Sequence, residues 1–258
     1  MKAILEGVGR LRSEHVPVLA IVLAVAGTVG AYVMVGSPPI VGAEDANIFF
    51  RYARNLAEGH GVVFNPGGER VEGITSLLWL GIPAAVYAAV GAAGLEAALT
   101  LISILLTAVV LGVVMHALAD IAPRGPGLWL GMAWLVAMAG LFLWAGLSLM
   151  DVGLWAAGVG SWVLVLFRWM EGRPVRQWVL PLLVVALSVT RPDALLVVPG
   201  IAAAVVLVYG LNRLSIRAAA HLGVTLVATT ALLVGARLAY FGYPLPNTYY
   251  TKVSPDLA

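Results

Sequence analysis

Apolar runs long enough to cross a hydrocarbon core recur along this chain, and they leave little freedom over what it can fold into. They fall at about Val16 to Val35, then at 74–92, 95–118, 127–147, 152–170, 178–190, 194–211 and 219–239. A bilayer core of about 30 Å is crossed by roughly 20 helical residues. Inside it every backbone N–H and C=O must be satisfied within the protein, which leaves only helices and closed barrels. Alternation of the barrel kind is absent, so the pattern predicts an all-α, polytopic transmembrane helical bundle of about seven to eight spans. The chain is 61% hydrophobic and 11% charged, against about 25% charged in an ordinary soluble domain, which excludes a water-soluble globule. It has no cysteine, which removes disulfides and thiolate chemistry. Its net charge of +2 comes from arginines at helix ends, a topology signal rather than a nucleic-acid patch.

Lys2, Arg10 and Arg12 precede the first run, so the positive-inside rule predicts a cytoplasmic N-terminus. This start lacks a small-residue cleavage site and reads as a retained signal anchor. Residues 36–73 then form an outer loop. Arg168, Arg173 and Arg176 mark one cytoplasmic turn, and Arg213 with Arg217 marks another. The hairpin between them turns outside at Thr190-Arg-Pro-Asp193. Counting spans puts Ser148 to Asp151 and Phe241 to Lys252 on that face too, so four polar islands converge on the outer side of a cell membrane. One count conflicts: a loop outside at 36–73 and Arg124 inside need an odd number of crossings, yet two apolar runs lie between them. Either the 74–92 run, with Pro83 and its glycines, is re-entrant or incompletely spanning, or Arg124 is no cytoplasmic marker and the 127–147 region does not cross simply. Residues 1–258 read as a single transmembrane domain, and the stop soon after Lys252 reads as that of an N-terminal fragment of a longer enzyme.

The segment from Gly42 to Gly73 holds eight of the 28 charged side chains, 15 basic and 13 acidic. Wound as a helix from Asp45, it puts Ile48, Phe49, Tyr52, Ala53 and Leu56 on one stripe and Arg51, Arg54, Asn55 and Glu58 opposite, predicting an amphipathic helix along the membrane surface. Asp45 falls at the centre of the apolar stripe by angle, and Glu44 falls near Arg51. A carboxylate aimed at the protein interior is costly unless used or paired. The plainer role of both acids is to cap the helix, where the dipole favours anions, and the two roles are compatible. The stretch from Phe64 to Gly73 is dense in turn residues and returns the chain to the bilayer. Its acids Glu69 and Glu72 read as solvated, and His60, between two glycines, reads as a helix C-terminal residue.

Asp151 stands alone between two apolar runs, and an ionisable residue at membrane depth is a functional candidate by default. Against that, short loops need polar residues. Arg191 and Asp193 read equally as a structural pair or as part of a site. Arg237, one turn before the end of its run, reads as a snorkelling side chain. Pro244 to Lys252 has the polar, aromatic character of an interfacial belt, or of a sugar or lipid-phosphate site in which Tyr249 and Tyr250 stack and Lys252 holds charge. Phosphate-loop, zinc-protease and nucleophile-elbow motifs are absent.

Taken together, Glu44-Asp-Ala-Asn-Ile-Phe-Phe-Arg-Tyr-Ala-Arg-Asn-Leu, Gly59-His-Gly-Val-Val-Phe-Asn-Pro66 and Arg70-Val-Glu-Gly-Ile-Thr-Ser-Leu-Leu-Trp79 resemble the first outer loop of bacterial GT-C membrane glycosyltransferases. Leu147 to Asp151, Thr190 to Leu196 and Tyr240 to Lys252 match later landmarks of that group in order. The nearest branch is that of the mycobacterial terminal arabinofuranosyltransferases. The resemblance implies transfer of a sugar, arabinofuranose in that branch, from a polyprenyl-phosphate donor to a cell-envelope glycan or glycolipid acceptor on the outer face. It implies that Asp45 or Glu44 is the catalytic base or the ligand of a divalent metal, where the family often has two aspartates. It assigns substrate binding to Arg51, Asp151, Arg191, Asp193, Asn247, Tyr249, Tyr250 and Lys252, with Asp151 standing where a glutamate is common. A sugar phosphate already carries its leaving group, so a carboxylate for the acceptor's proton and cations for the departing phosphate suffice, and one working carboxylate implies inversion. The alternatives are a flippase for a lipid-linked sugar, which predicts broken helices at mid-membrane and paired repeats, and an inactive partner subunit.

Overall fold

The computed structural model describes residue 26, residues 44–121 and residues 148–253. The predicted spans at Val16 to Val35 and 127–147, the placement of the N-terminus, and Arg124 lie outside the described residues. Every regular element described is an α-helix: α1 (Glu44–Ala57), α2 (Leu77–Ile121), α3 (Val152–Met170), α4 (Val179–Thr190), α5 (Ala194–Tyr209), α6 (Arg213–Phe241) and α7 (Asn247–Val253). Three stretches are long and apolar enough to cross a membrane, namely Leu77–Val114, Val152–Met170 and Arg213–Phe241, while α4 and α5 are shorter apolar helices. Leu207 on α5 is 85% exposed and Leu232 on α6 is 75% exposed. Apolar surface of this extent, spread along whole helices, is what a lipid-facing element shows and what a soluble monomer avoids.

The chain divides into two compact units, one holding residues 97–121 and 148–161 among those described, the other 44–96 and 162–253. In the first unit glycine lets two helices approach closely. A Cβ added at Gly153 would lie 3.3 Å from Leu106 Cβ, and one at Gly160 would lie 3.3 Å from Val113 Cγ1. Without a hydrophobic drive between helices in lipid, such small residues are how dispersion contacts are gained.

In the second unit α6 packs against both α4 and α5, which also touch each other. Its core includes Trp79, Trp162, Tyr52, Ile74, Val184, Leu187, Val198 and Leu222, all essentially inaccessible. α6 begins six residues before its apolar run because the polar start is a capping box. Asn212 Oδ1 accepts from the N–H groups of Leu214 and Ser215, each at 2.9 Å, and Ser215 Oγ accepts from Asn212 N–H at 3.0 Å, which satisfies donors that a helix start leaves open.

The runs at 74–92 and 95–118 are two helical segments that follow one another without a loop. They form α2, whose helical path is interrupted at Gly91, with φ 68° and ψ −173°, a region open essentially to glycine alone. Pro83 lies inside the helix without ending it.

Candidate functional site

α1 forms because residues 44–57 contain neither Gly nor Pro, and it stops where they begin. Gly59 takes φ 84°, and the N–H groups of His60 and Gly59 reach back to the carbonyls of Asn55 (2.8 Å) and Leu56 (3.2 Å), the Schellman closure of a helix. The chain then doubles back over α1 as a strap, residues 58–76. Asn55 Nδ2 donates to the carbonyls of Val63 (2.7 Å) and Phe64 (2.9 Å), and Arg51 Nε donates to Phe64 O at 3.0 Å. The Tyr52 hydroxyl donates to Val71 O and accepts from Gly73 N–H at 2.9 Å. Burial, and next the charge of Glu72, outweigh the Gly73 N–H and hold this phenol above its ordinary pKa, so it stays a donor. Beyond the strap's start, Glu58 is held below the ordinary carboxylate range by hydrogen bonds from Arg54 (2.9 Å) and Tyr87 (3.0 Å).

The strap is gripped from the other side by the end of α6. Val62 N–H donates to the Tyr240 hydroxyl at 3.0 Å; Gly61 takes φ 85°, and a Cβ there would lie 2.6 Å from that oxygen, so any side chain would be strained and would displace the Tyr240 hydroxyl. The Arg70 guanidinium lies 4.7 Å from the centre of the Tyr240 ring, a cation–π contact. The strongest link is Glu72 with Arg237, whose Nε donates to the two carboxylate oxygens at 3.1 and 2.9 Å. Glu72 is 3% exposed. Its carbonyl also accepts from Asn247 N–H at 3.0 Å, tying the strap to the start of α7. Burial pushes the Glu72 carboxyl above its usual range, and Arg237 pulls it back only in part.

These contacts correct four expectations. Glu72 is buried and paired rather than solvated, and Arg237 holds it rather than snorkelling. Asn55, assigned to the polar side of α1, is buried because the strap supplies two carbonyl acceptors there. Asp45 is exposed, not aimed into the interior. A helical wheel gives an angle but not what covers it, and the strap crosses α1 from Arg51 onward, beyond the first turn.

Between the strap and the 241–250 segment lies a cavity of about 440 Å³, lined by Glu69, Arg70, Glu72, Tyr243, Asn247 and Tyr250 among others. Its aromatic wall is built by edge contacts of Tyr250 with Tyr243 (5.8 Å between ring centres) and with Tyr249 (5.7 Å). Of the predicted substrate-binding residues, Asn247 and Tyr250 line it. Tyr249 is exposed beside it. Arg51 is exposed and engaged with Phe64. Arg191 and Asp193 pair with each other at 2.7 Å, and Arg191 lines a separate small cavity with Arg237. Asp151, in the first unit, is buried two residues after Leu149, which takes φ 55°, an outlier for a bulky residue. The side chains of Glu44 and Lys252 lie outside the described part of the structure. Among the described residues there is no group of three or more His, Asp or Glu side chains that could hold a metal ion.

Sequence reasoning missed Asn55, Arg70, Glu72, Arg237 and Tyr240. The one available signal was that Glu72 and Arg237 both sit at the same predicted face, each next to an apolar run.

The Glu72 environment has a pH consequence. Because the folded state holds this proton more tightly than the unfolded chain, the carboxyl's contribution to stability is greatest below the ordinary carboxylate range. It declines as pH rises from the unfolded value to the raised folded one. Unfolding midpoints of wild type and Glu72→Gln, taken in one detergent across that range, are expected to differ by an amount that shifts against wild type as pH rises. A difference that is flat with pH would contradict the burial described.

Comparison with known proteins gives no match to a family model, a curated protein or a solved structure.

Proposed function

We propose that this chain is a membrane glycosyltransferase of the GT-C type, a polytopic bundle of about seven to eight spans. Its N-terminus is cytoplasmic and its site lies on the outer face of the cell membrane. It moves a sugar, arabinofuranose by resemblance, from a polyprenyl-phosphate donor to a cell-envelope glycan or glycolipid. The observation that carries the reading is the 440 Å³ cavity, which joins the strap of the first outer loop to the Tyr240–Lys252 motif, two of the four islands in the resemblance. Its volume lies in the range of about 300–1,000 Å³ that small-molecule sites occupy. Its lining suits a sugar phosphate: tyrosine rings for an apolar sugar face, Asn247 and Glu69 for hydroxyls, and Arg70 for phosphate charge.

In the reaction the acceptor hydroxyl oxygen bonds to the anomeric carbon, and the bond from that carbon to the phosphate oxygen breaks. Polyprenyl phosphate departs with the electron pair, and the hydroxyl proton passes to a carboxylate, Asp45 or Glu44. Attack opposite the leaving group inverts the anomeric centre. Glu72 is buried and held by Arg237, and in this reading it holds the cavity wall rather than serving as the base.

Membranes carrying Asn247→Ala or Tyr250→Ala, supplied with a polyprenyl-phosphate sugar and acceptor, are expected to transfer with a donor KM raised about tenfold, the effect of one lost hydrogen bond or stacking contact. Unchanged kinetics in both variants would remove the cavity from the proposal.

A further inference from the structure

A second cavity, of about 140 Å³, lies between the end of α3, the α3–α4 turn and the start of α6, and its wall includes Trp169, Gln177, Leu180, Leu214, Arg217 and His221. We propose that it binds an anionic phosphate group, and that in the membrane this group is the headgroup of an acidic phospholipid. The inference is independent of the sugar-transfer reading.

Arg217 and His221 are four residues apart on α6, so they stand on one face, a turn apart. Both line the cavity, as does Gln177, and no carboxylate does. None of these three side chains has a hydrogen bond or ion pair with another described residue, in contrast to Arg173, which pairs with Glu171 at 2.9 Å. Three polar groups with donor capacity thus converge on one unfilled volume. Residues 168–178 and 211–221 hold five arginines and one acid, Glu171, so the field there favours an anion.

Size narrows the ligand. The volume exceeds what a single water needs and falls short of the roughly 300 Å³ at which small-molecule sites begin, which suits a phosphate group and not a sugar or nucleotide. The walls decide in favour of a lipid. Leu180 and Leu214 line the cavity, α3 and α6 are two of the three helices apolar enough to cross a membrane, and Trp169 is a residue type that collects at headgroup depth. Trp178 and Ile216, next in sequence to lining residues, are more than half exposed and offer apolar surface to acyl chains. Basic pockets between helices at a membrane boundary recognise acidic headgroups in this way.

The test is native mass spectrometry of the purified full chain in neutral detergent, titrated with phosphatidylglycerol or phosphatidylcholine. Wild type is expected to keep one phosphatidylglycerol that phosphatidylcholine does not match. Arg217→Gln/His221→Gln is expected to bind it at least about fivefold more weakly, as expected for loss of one basic residue near a lipid surface, and Arg213→Gln, which adds to the local field but does not line the cavity, to lose less than the double variant. Inorganic phosphate serves as competitor: displacement of the lipid supports a shared phosphate site, whereas phosphate binding without any lipid selectivity assigns a free anion and overturns the lipid. Equal retention of both lipids, or full retention by the double variant, overturns the proposal. Should the double variant fail to fold, a photoreactive phosphatidylglycerol on wild type decides: crosslinks within 169–177 or 214–221 support the site, and crosslinks elsewhere refute it.

Discussion

Arg237→Met should unfold far more readily than wild type, losing about 3–5 kcal/mol, because it leaves the Glu72 carboxylate buried without its partner. The size of the loss follows from an asymmetry. A buried pair gains little over apolar residues of the same shape, since two desolvation penalties offset the attraction, but half a pair keeps one penalty with nothing against it. Two consequences separate this account from a simple packing loss. The orphaned Glu72, already pushed up by burial, escapes its penalty by taking a proton, so the deficit of Arg237→Met should shrink as pH falls. Adding Glu72→Leu should restore most of the lost stability, because the charge is then gone. Thermal unfolding of the two single variants and the double variant in detergent closes the cycle. If the double variant is as unstable as the sum of the singles, the pair is not the link between the strap and α6.

That link also marks the limit of what the sequence displays. Helix content was legible, since an apolar run of this kind has no other way to satisfy its backbone. The run at 152–170 coincides with α3, and the hairpin tip read at Thr190 to Asp193 begins on the last residue of α4 and ends just before α5. The punctuation of α6 was half legible: the run marks its apolar part, while the capping residues Asn212 and Ser215 extend it into a polar stretch that a hydropathy window passes over.

Other features depend on atoms that meet only after folding. Glu72 and Arg237 are 165 residues apart, and no periodicity relates them. Asn55 read as outward because α1 was wound alone, whereas its surroundings are set by a strap whose own course depends on Tyr52. The break at Gly91 was half legible: the apolar runs divide beside it, yet Gly81, Gly91 and Gly94 all lie near the division and nothing local says which one leaves the helical region. The cavity followed the same logic. Its aromatic side was visible in Tyr250, while Tyr243, Arg70 and Glu69 were not singled out, and the last two enter it only because the strap is held at both of its faces.

The second large effect concerns the chemistry. A positioned carboxylate that takes the acceptor's proton contributes about 10²–10⁴-fold to rate, so removing it should cost more than any single contact in the cavity. Asp45→Asn and Glu44→Gln keep side-chain shape and remove only the charge. Asp45 is exposed, so its replacement should leave folding intact. A base acts in the transition state, and the loss should therefore fall on kcat, with donor KM little changed, opposite to the pattern expected for Asn247 and Tyr250. The most direct test is transfer of labelled sugar from polyprenyl-phosphate arabinofuranose, in membranes containing wild type, Asp45→Asn or Glu44→Gln at equal amounts. The account predicts product with wild type and a drop of at least about 100-fold in one of the two variants; wild-type rates in both, or no transfer by wild type from any polyprenyl-phosphate sugar, would contradict it.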